Sequence, residues 1–292
     1  MEAAFFDLDK TVIAKASMMA FGRPFYNEGL ISRAAVVRGL YAQLIYLHLG
    51  ASEEKLARIR ESVLTLTKGW EQARVRQIVA ETLTRVVEPI TYAEALELID
   101  LHRAAGRRIY IISASPAEIV EPLASFLGAD DAIASLAKVD DEGRYTGEMD
   151  VYAYGPYKAE LMAMIAERDG IDLAASYAYS DSYTDLPMLE IVGHPVAVNP
   201  DRPLAALASQ RGWEIRTFVR PVRLRDRVPV PPARATAAAG LSAAVVAGGL
   251  IAWRLRHKAP APTPPNSWER VANRARGLGA ISSRAASWRR TG

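Results

Sequence analysis

The chain has 292 residues, 50% hydrophobic and 24% charged, the composition of an ordinary globular protein long enough to bury a core without staples. With no cysteine and four scattered histidines (His48, His102, His194, His257), disulfides, thiolate metal sites and cysteine nucleophiles are excluded, and any metal is left to oxygen ligands. The net charge of +3 is unevenly spread: residues 1–219 hold 22 Lys and Arg against 31 Asp and Glu, residues 220–292 hold 14 against 2, so the acidic body is no nucleic-acid binder.

The first six residues, Met1 to Phe6, carry no basic leader and no long apolar run, so no signal peptide is read and the body is expected in the cytoplasm. Residues 3–8 form a short apolar run that meets a polar cluster, as a buried strand ending at a site would. Residues 15–89 read as helical almost throughout. Val36, Val37, Leu40, Leu44 and Leu47 fall at helical spacing within 32–49; Ser52-Glu53-Glu54-Lys55 opens a second helix, and 67–87 carries a third pattern. A helix over 92–105 closes at Gly106 and leads into Arg108-Ile109-Tyr110-Ile111-Ile112, a buried strand of the parallel type.

Beyond it the chain alternates. The pattern predicts a helix over 117–127, a hairpin over 137–152 turning at Asp141-Glu142-Gly143, a helix over 157–169 and a strand over 176–179. A helix over 184–192, a strand over 195–198, a helix over 203–211 and a strand over 213–218 follow. Such alternation predicts an α/β fold: an open, mostly parallel, Rossmann-like sheet with a helical insertion after its first strand.

The sharpest local signal is Phe6-Asp7-Leu8-Asp9-Lys10-Thr11 at the end of the first strand. Two carboxylates one residue apart can both face the crevice there, because the chain leaves the pleat. Taken alone, the same residues also read as a polar turn with Thr11 capping a helix. Three more polar clusters fall at later strand ends: Ser113-Ala114-Ser115, Lys158 after Tyr154-Gly155-Pro156, and Ser180-Asp181-Ser182-Tyr183-Thr184-Asp185. Ligands bind at the carboxyl ends of such strands, and this set outlines a phosphate and Mg²⁺ site.

Asp-x-Asp-x-Thr, a strand ending in Ser, then Lys, then Asp-x-x-x-Asp resembles the four-motif pattern of the haloacid dehalogenase superfamily, with the insertion resembling the helical cap of its phosphoserine-phosphatase-like branch, subfamily IB. The resemblance covers about residues 3–219. It implies a catalytic core over 1–14 and 90–219, a cap over 15–89, and a Mg²⁺-dependent phosphomonoester hydrolase. It further implies Asp7 as nucleophile and Asp9 as general acid and base, with Ser113, Lys158 and Thr11 on the phosphoryl oxygens. Asp7, Asp9 (through its carbonyl), Asp181 and Asp185 would stand around Mg²⁺. Ser180 and Thr184 replace the Gly and Asn common in the branch. Phosphoserine as substrate is put in question, because 14–17 (Ala-Lys-Ala-Ser) lacks the Glu that would hold its amine. Met18, Met19, Phe21, Phe25, Tyr26, Tyr41 and Tyr46 read as core packing, part of which could face a less polar substrate. A small organic phosphate is therefore expected, with a membrane-anchored lipid-phosphate phosphatase or a non-catalytic membrane scaffold as alternatives.

The tail is different in kind. Residues 220–234 form a basic, Pro-rich linker, 254–292 a basic tail, and 235–253 is 19 residues without a charge, about 28 Å as a helix. It holds eight Ala and three Gly, so it is a weak candidate span, and Gly240, Ala244 and Gly248 form a small-residue face suited to a homodimer in lipid. Arg227 and Arg234 before it and Arg254, Arg256 and Lys258 after it leave orientation unsettled; with nothing to export the body, the cytoplasmic side of a membrane is expected. Trp268, Val271, Ala272, Ala275 and Leu278 could form the apolar face of an amphipathic helix meeting anionic lipid.

Overall fold

Ala3–Asp7 (β1) is buried along its whole length, and such a strand must sit between neighbours on both sides and layers on both faces. In the computed structural model, which describes residues 1–32 and 53–220, β1 is the central strand of a seven-stranded sheet. The other strands are Arg108–Pro116 (β2), Asp131–Val139 (β3), Tyr145–Val151 (β4), Tyr177–Ser180 (β5), His194–Val198 (β6) and Glu214–Arg216 (β7). Their order is β4-β3-β2-β1-β5-β6-β7, parallel except for the antiparallel β3–β4 pair. The order reverses at β1, so the crevice above β1 and β5 is the topological switch point.

Alternate side chains of β1 feed two core layers. Phe5 stacks on Tyr110, with ring centroids 5.0 Å apart, in the layer covered by helices Pro156–Asp169, Leu186–Glu190 and Arg202–Arg211. Phe6 points the other way and stacks on Tyr179 at 4.4 Å, beneath helix Ala93–Ala104, whose His102 meets its edge. Helix Ala117–Leu127 completes this side and ends at Gly128, where a φ of +76° allows the left-handed cap.

Between β1 and β2 lie short helices Ser17–Ala20 and Gly22–Asn27 and long helices Glu53–Thr67 and Gln72–Val87. The two connections of this insertion are zipped together: Ala14 N–H donates to Ile90 O and Tyr92 N–H to Val12 O, at 2.7 and 2.9 Å. Its far end is tied to the β3–β4 turn. Gly69 N–H donates to Tyr145 O, Tyr145 N–H to Trp70 O and Gln72 N–H to Gly143 O, all within 3.0 Å.

Several expected elements change shape. The 67–87 pattern breaks at Gly69, whose φ of +82° no helix carries, and resumes at Gln72. The predicted hairpin is the far half of a longer strand: β3 starts at Asp131, pairs first with β2 in parallel, then with β4. The helix expected over 184–192 splits into a 3₁₀ turn, Tyr183–Asp185, and helix Leu186–Glu190, because Pro187 in the first helical turn has no N–H to continue the earlier ladder. The strand over 213–218 shrinks to Glu214–Arg216. The helix expected over 32–49, the linker, the uncharged stretch 235–253 with its Gly240, Ala244 and Gly248 face, and the tail lie outside the described residues. Among the described residues no helix is long and apolar enough to cross a membrane.

Candidate active site

Asp7 is the last residue of β1, and the chain turns sharply after it. Val12 and Ile13 both donate N–H to Leu8 O, at 3.0 and 3.1 Å, and Lys10 takes a φ of +64° inside the turn. A non-glycine residue is held in that region only when its surroundings impose it. The turn keeps both Asp7 and Asp9 at the carboxyl edge of the sheet.

Lys158 reaches the same edge from the first turn of helix Pro156–Asp169, where Gly155 (φ +56°) lets the chain turn and Pro156 needs no N–H partner. Its Nζ donates to Asp7 Oδ1 at 2.5 Å and to Asp185 Oδ2 at 2.7 Å. Ser180, at the end of β5, donates its hydroxyl to the same Asp185 oxygen at 2.7 Å. All four are nearly fully buried. Burial pulls the Lys158 ammonium pKa down, but Asp185 and Asp7 outweigh it and hold it above its ordinary value, so it is protonated. Burial drives the Asp7 carboxyl well above the usual range; Lys158 opposes this, while Asp185, Asp181 and Asp9 add to it. Asp181 is pushed up to about 7, chiefly by burial, with Lys10 opposing and Asp185 reinforcing.

Asp9 is half-buried and held by two serines. Ser17 N–H donates to its Oδ1 at 2.6 Å and Ser115 Oγ to its Oδ2 at 3.0 Å. Ser17 Oγ in turn donates to Ser115 Oγ at 2.8 Å, and Ser115 N–H donates to Ser113 Oγ at 3.1 Å. Burial raises the Asp9 pKa more than the bonds from Ser17 and Ser115 lower it. Asp9 thus combines a raised carboxyl pKa with partial exposure. Thr11 is fully buried, and its Oγ1 has no hydrogen-bond partner among the described residues.

The strand ends therefore bring Asp7, Lys158 and Asp185 into one hydrogen-bonded cluster, and Asp9 with Ser113 into a second. Asp181 stands close enough to act on Asp7 through charge. Sequence reasoning missed Ser17 and Ser115 as partners of Asp9. It also missed Asp201, whose N–H donates to Asp181 O at 2.7 Å and whose Oδ2 accepts from Tyr183 N–H at 2.9 Å. Asp201 was readable as a helix cap ahead of Pro203, and its side chain does accept from Leu204 N–H. The Ser180 departure acquires a structural role, as the hydroxyl that orients Asp185.

The four aspartates expected around Mg²⁺ are engaged unequally. Among the described residues no three acidic or imidazole side chains converge as a metal cluster. Both oxygens of Asp9 are bonded to serines, and Asp185 is spent on Lys158 and Ser180. Asp7 and Asp181 remain as carboxylates for a cation. The site still fits one: among the described residues Lys158 and Lys10 are the cations acting on Asp7 and Asp181, the donors are all oxygen, and neighbouring carboxylates add to the rise that burial imposes on Asp7 and Asp181.

Residues 4–190 match the model of the haloacid dehalogenase-like hydrolase family. The chain belongs to that family. This haloacid dehalogenase-like hydrolase is 50% identical over 261 residues to the inhibition of morphological differentiation protein of Streptomyces azureus, covering 88% of this chain and 94% of that protein. It is 36% identical over 249 residues to a phosphoserine phosphatase of Mycobacterium tuberculosis, covering 84% and 80%. A solved protein of unknown function from Bordetella pertussis superposes with a TM-score of 0.65 at 26% identity, over 74% of this chain and 97% of its own. The hydrolase is an enzyme of the phosphatase type, and the clusters on Asp7 and Asp9 lie within the matched residues.

Proposed function

We propose that the chain is a Mg²⁺-dependent phosphomonoester hydrolase that works through an aspartyl-phosphate on Asp7. One observation carries the reading: a buried Asp7 bonded to a protonated Lys158, with Asp9, whose carboxyl pKa burial raises, two residues on in the same turn. Residues 1–14 and 90–219 are assigned as core and 15–89 as cap.

An Asp7 oxygen attacks phosphorus and the bond to the leaving alcohol breaks, while Asp9 gives its proton to the leaving oxygen. Asp9 then takes a proton from water, which attacks the acyl-phosphate and releases inorganic phosphate. Lys158 and Asp185 act as a unit in which Asp185 aims the ammonium at Asp7 and the incoming phosphoryl oxygens. Ser113 and the partnerless Thr11 hydroxyl are assigned to those oxygens as well. Asp7, Asp181 and the Asp9 carbonyl would hold Mg²⁺, which would supply positive charge against which two anions can approach.

The relative named phosphoserine phosphatase supports a small organic phosphate as substrate, yet residues 14–17 carry no acid to hold an amine. Attachment to the cytoplasmic side of a membrane, and pairing through Gly240, Ala244 and Gly248, rest on the sequence alone. Purified full chain with Mg²⁺ should hydrolyse p-nitrophenyl phosphate, and Asp7→Asn should abolish turnover. Equal rates in both proteins would leave a non-catalytic scaffold. For the membrane, full chain should resist a carbonate wash of the pellet; release by salt alone would reduce attachment to surface charge.

A further inference from the structure

A cavity of about 520 Å³ lies between the insertion and the β2–β4 side of the sheet. Its walls are mostly carbon, with Met19, Phe25, Val63 and Trp70 from the insertion. Two other wall residues place it relative to the chemistry. Met18 follows Ser17 and Ala114 precedes Ser115, and Ser17 and Ser115 are the two residues bonded to Asp9. The cavity therefore comes within one residue of both groups bonded to Asp9, close enough for a long leaving group to reach it from the strand ends.

The walls are wrong for an amino-acid leaving group. Their charged members are Arg23, Arg60 and Glu118, and buried Glu118 already accepts from Gln72 Nε2 at 2.7 Å. Glu118 is the one carboxylate among the described lining residues, set against two arginines and bonded to Gln72, so little negative charge is directed toward an ammonium. The size is wrong as well: each water in the liquid takes about 30 Å³, and a seryl group would leave most of this space to water against apolar walls. Cavities of roughly 300–1,000 Å³ lined by carbon accept ligands of drug size.

We propose that this cavity receives the leaving group, and that the substrate is the phosphomonoester of a large, mostly apolar alcohol, alkyl or aryl. The inference rests on the hydrolase reading above and narrows it. Lipid chains and free aromatic alcohols share this chemistry, and the test has an arm for each.

Full chain with Mg²⁺ is assayed on butyl, hexyl and octyl phosphate below their micellar concentrations, on 1-naphthyl phosphate and on phosphoserine. Binding of butyl and octyl phosphonate, which cannot be hydrolysed, is measured by calorimetry. Four methylenes fully removed from water are worth about 200-fold in affinity. We expect kcat/KM to rise more than tenfold from butyl to octyl, phosphoserine to be poorer than octyl phosphate by at least that factor, and octyl phosphonate to bind correspondingly tighter. Val63→Trp, which fills the cavity from the insertion, should bring the octyl-to-butyl ratio close to one. Octyl rising without naphthyl marks a lipid-like source, and naphthyl rising without octyl an aromatic one; either supports the pocket. A flat series in both rate and binding, or a preference for phosphoserine, overturns the inference and leaves the hydrolase standing. Graded phosphonate binding with no hydrolysis of any ester overturns the hydrolase reading and keeps the apolar site.

Discussion

The ammonium of Lys158 stands 2.5 Å from Asp7 Oδ1, and both side chains are less than a tenth exposed. A buried charge pair tolerates loss of one partner badly, because the survivor is left uncompensated. Lys158→Met should destabilise the fold by about 3–5 kcal/mol unless a proton settles on the carboxylates. It should also cut kcat/KM by roughly 10³-fold, since the charge that meets the phosphoryl oxygens goes too. Chemical denaturation and steady-state kinetics on one preparation separate the two effects; near-wild-type turnover would remove Lys158 from the mechanism.

Asp9 should matter in proportion to how badly the leaving oxygen needs a proton. Asp9→Asn is expected to cost about 10²–10⁴-fold on an alkyl phosphate and much less on p-nitrophenyl phosphate, whose leaving group departs as an anion. Ser115→Ala, which removes the donor to Asp9 Oδ2 and the acceptor of the Ser17 hydroxyl, should show the same leaving-group bias at roughly tenfold. Equal losses on the two substrates would mean that Asp9 does not transfer the proton.

His102 makes the fold acid-sensitive from within the layer beneath Phe6 and Tyr179. Burial, with Arg107 and Arg216 nearby, lowers its pKa from 6.5 to about 4, and its Nε2 is bonded to the Tyr179 hydroxyl at 2.7 Å. Below pH 6.5 the unfolded chain takes up a proton there that the folded chain refuses until about pH 4. Unfolding is therefore favoured increasingly across that window, by at most about 3 kcal/mol, and unaffected by this group above it. Thermal melts of wild type and His102→Gln between pH 4 and 8 should diverge in slope only on the acid side.

Gly193 is required by space alone. A methyl group there would sit 1.7 Å from Ala174 O and 2.7 Å from Ala174 C, both backbone atoms, while Gly193 N–H donates to Leu173 O at 2.9 Å. Gly193→Ala must push the Leu173–Ala175 turn away from β6, at a cost of about 3 kcal/mol. A drop in Tm of several degrees without change in kcat is expected.

The parts legible in sequence were those written in local patterns. The apolar runs at β1 and β2, and polar residues directly behind them, announced a parallel sheet with a site at its edge. The hydrogen bonds that assemble the site were not legible, because they join residues far apart in the chain. Ser17 meets Asp9 only after the chain turns at Lys10, and Ser115 meets it across more than 100 positions. Nor could spacing reveal that Asp185 is spent on Lys158. The two ladders of β3 were hidden for a related reason: 131–136 alternate too little to tell a strand with two partners from a loop ahead of a hairpin.

The insertion is fastened at both ends, by its zipped connections at 12–14 and 90–92 and by the backbone ladder from 69–72 to 143–145. A rigid swing of this lid about its two connections would have to tear the second ladder apart on every turnover. Helix Gln72–Val87 is thereby held to the β3–β4 hairpin, which serves as the fixed jamb of the door.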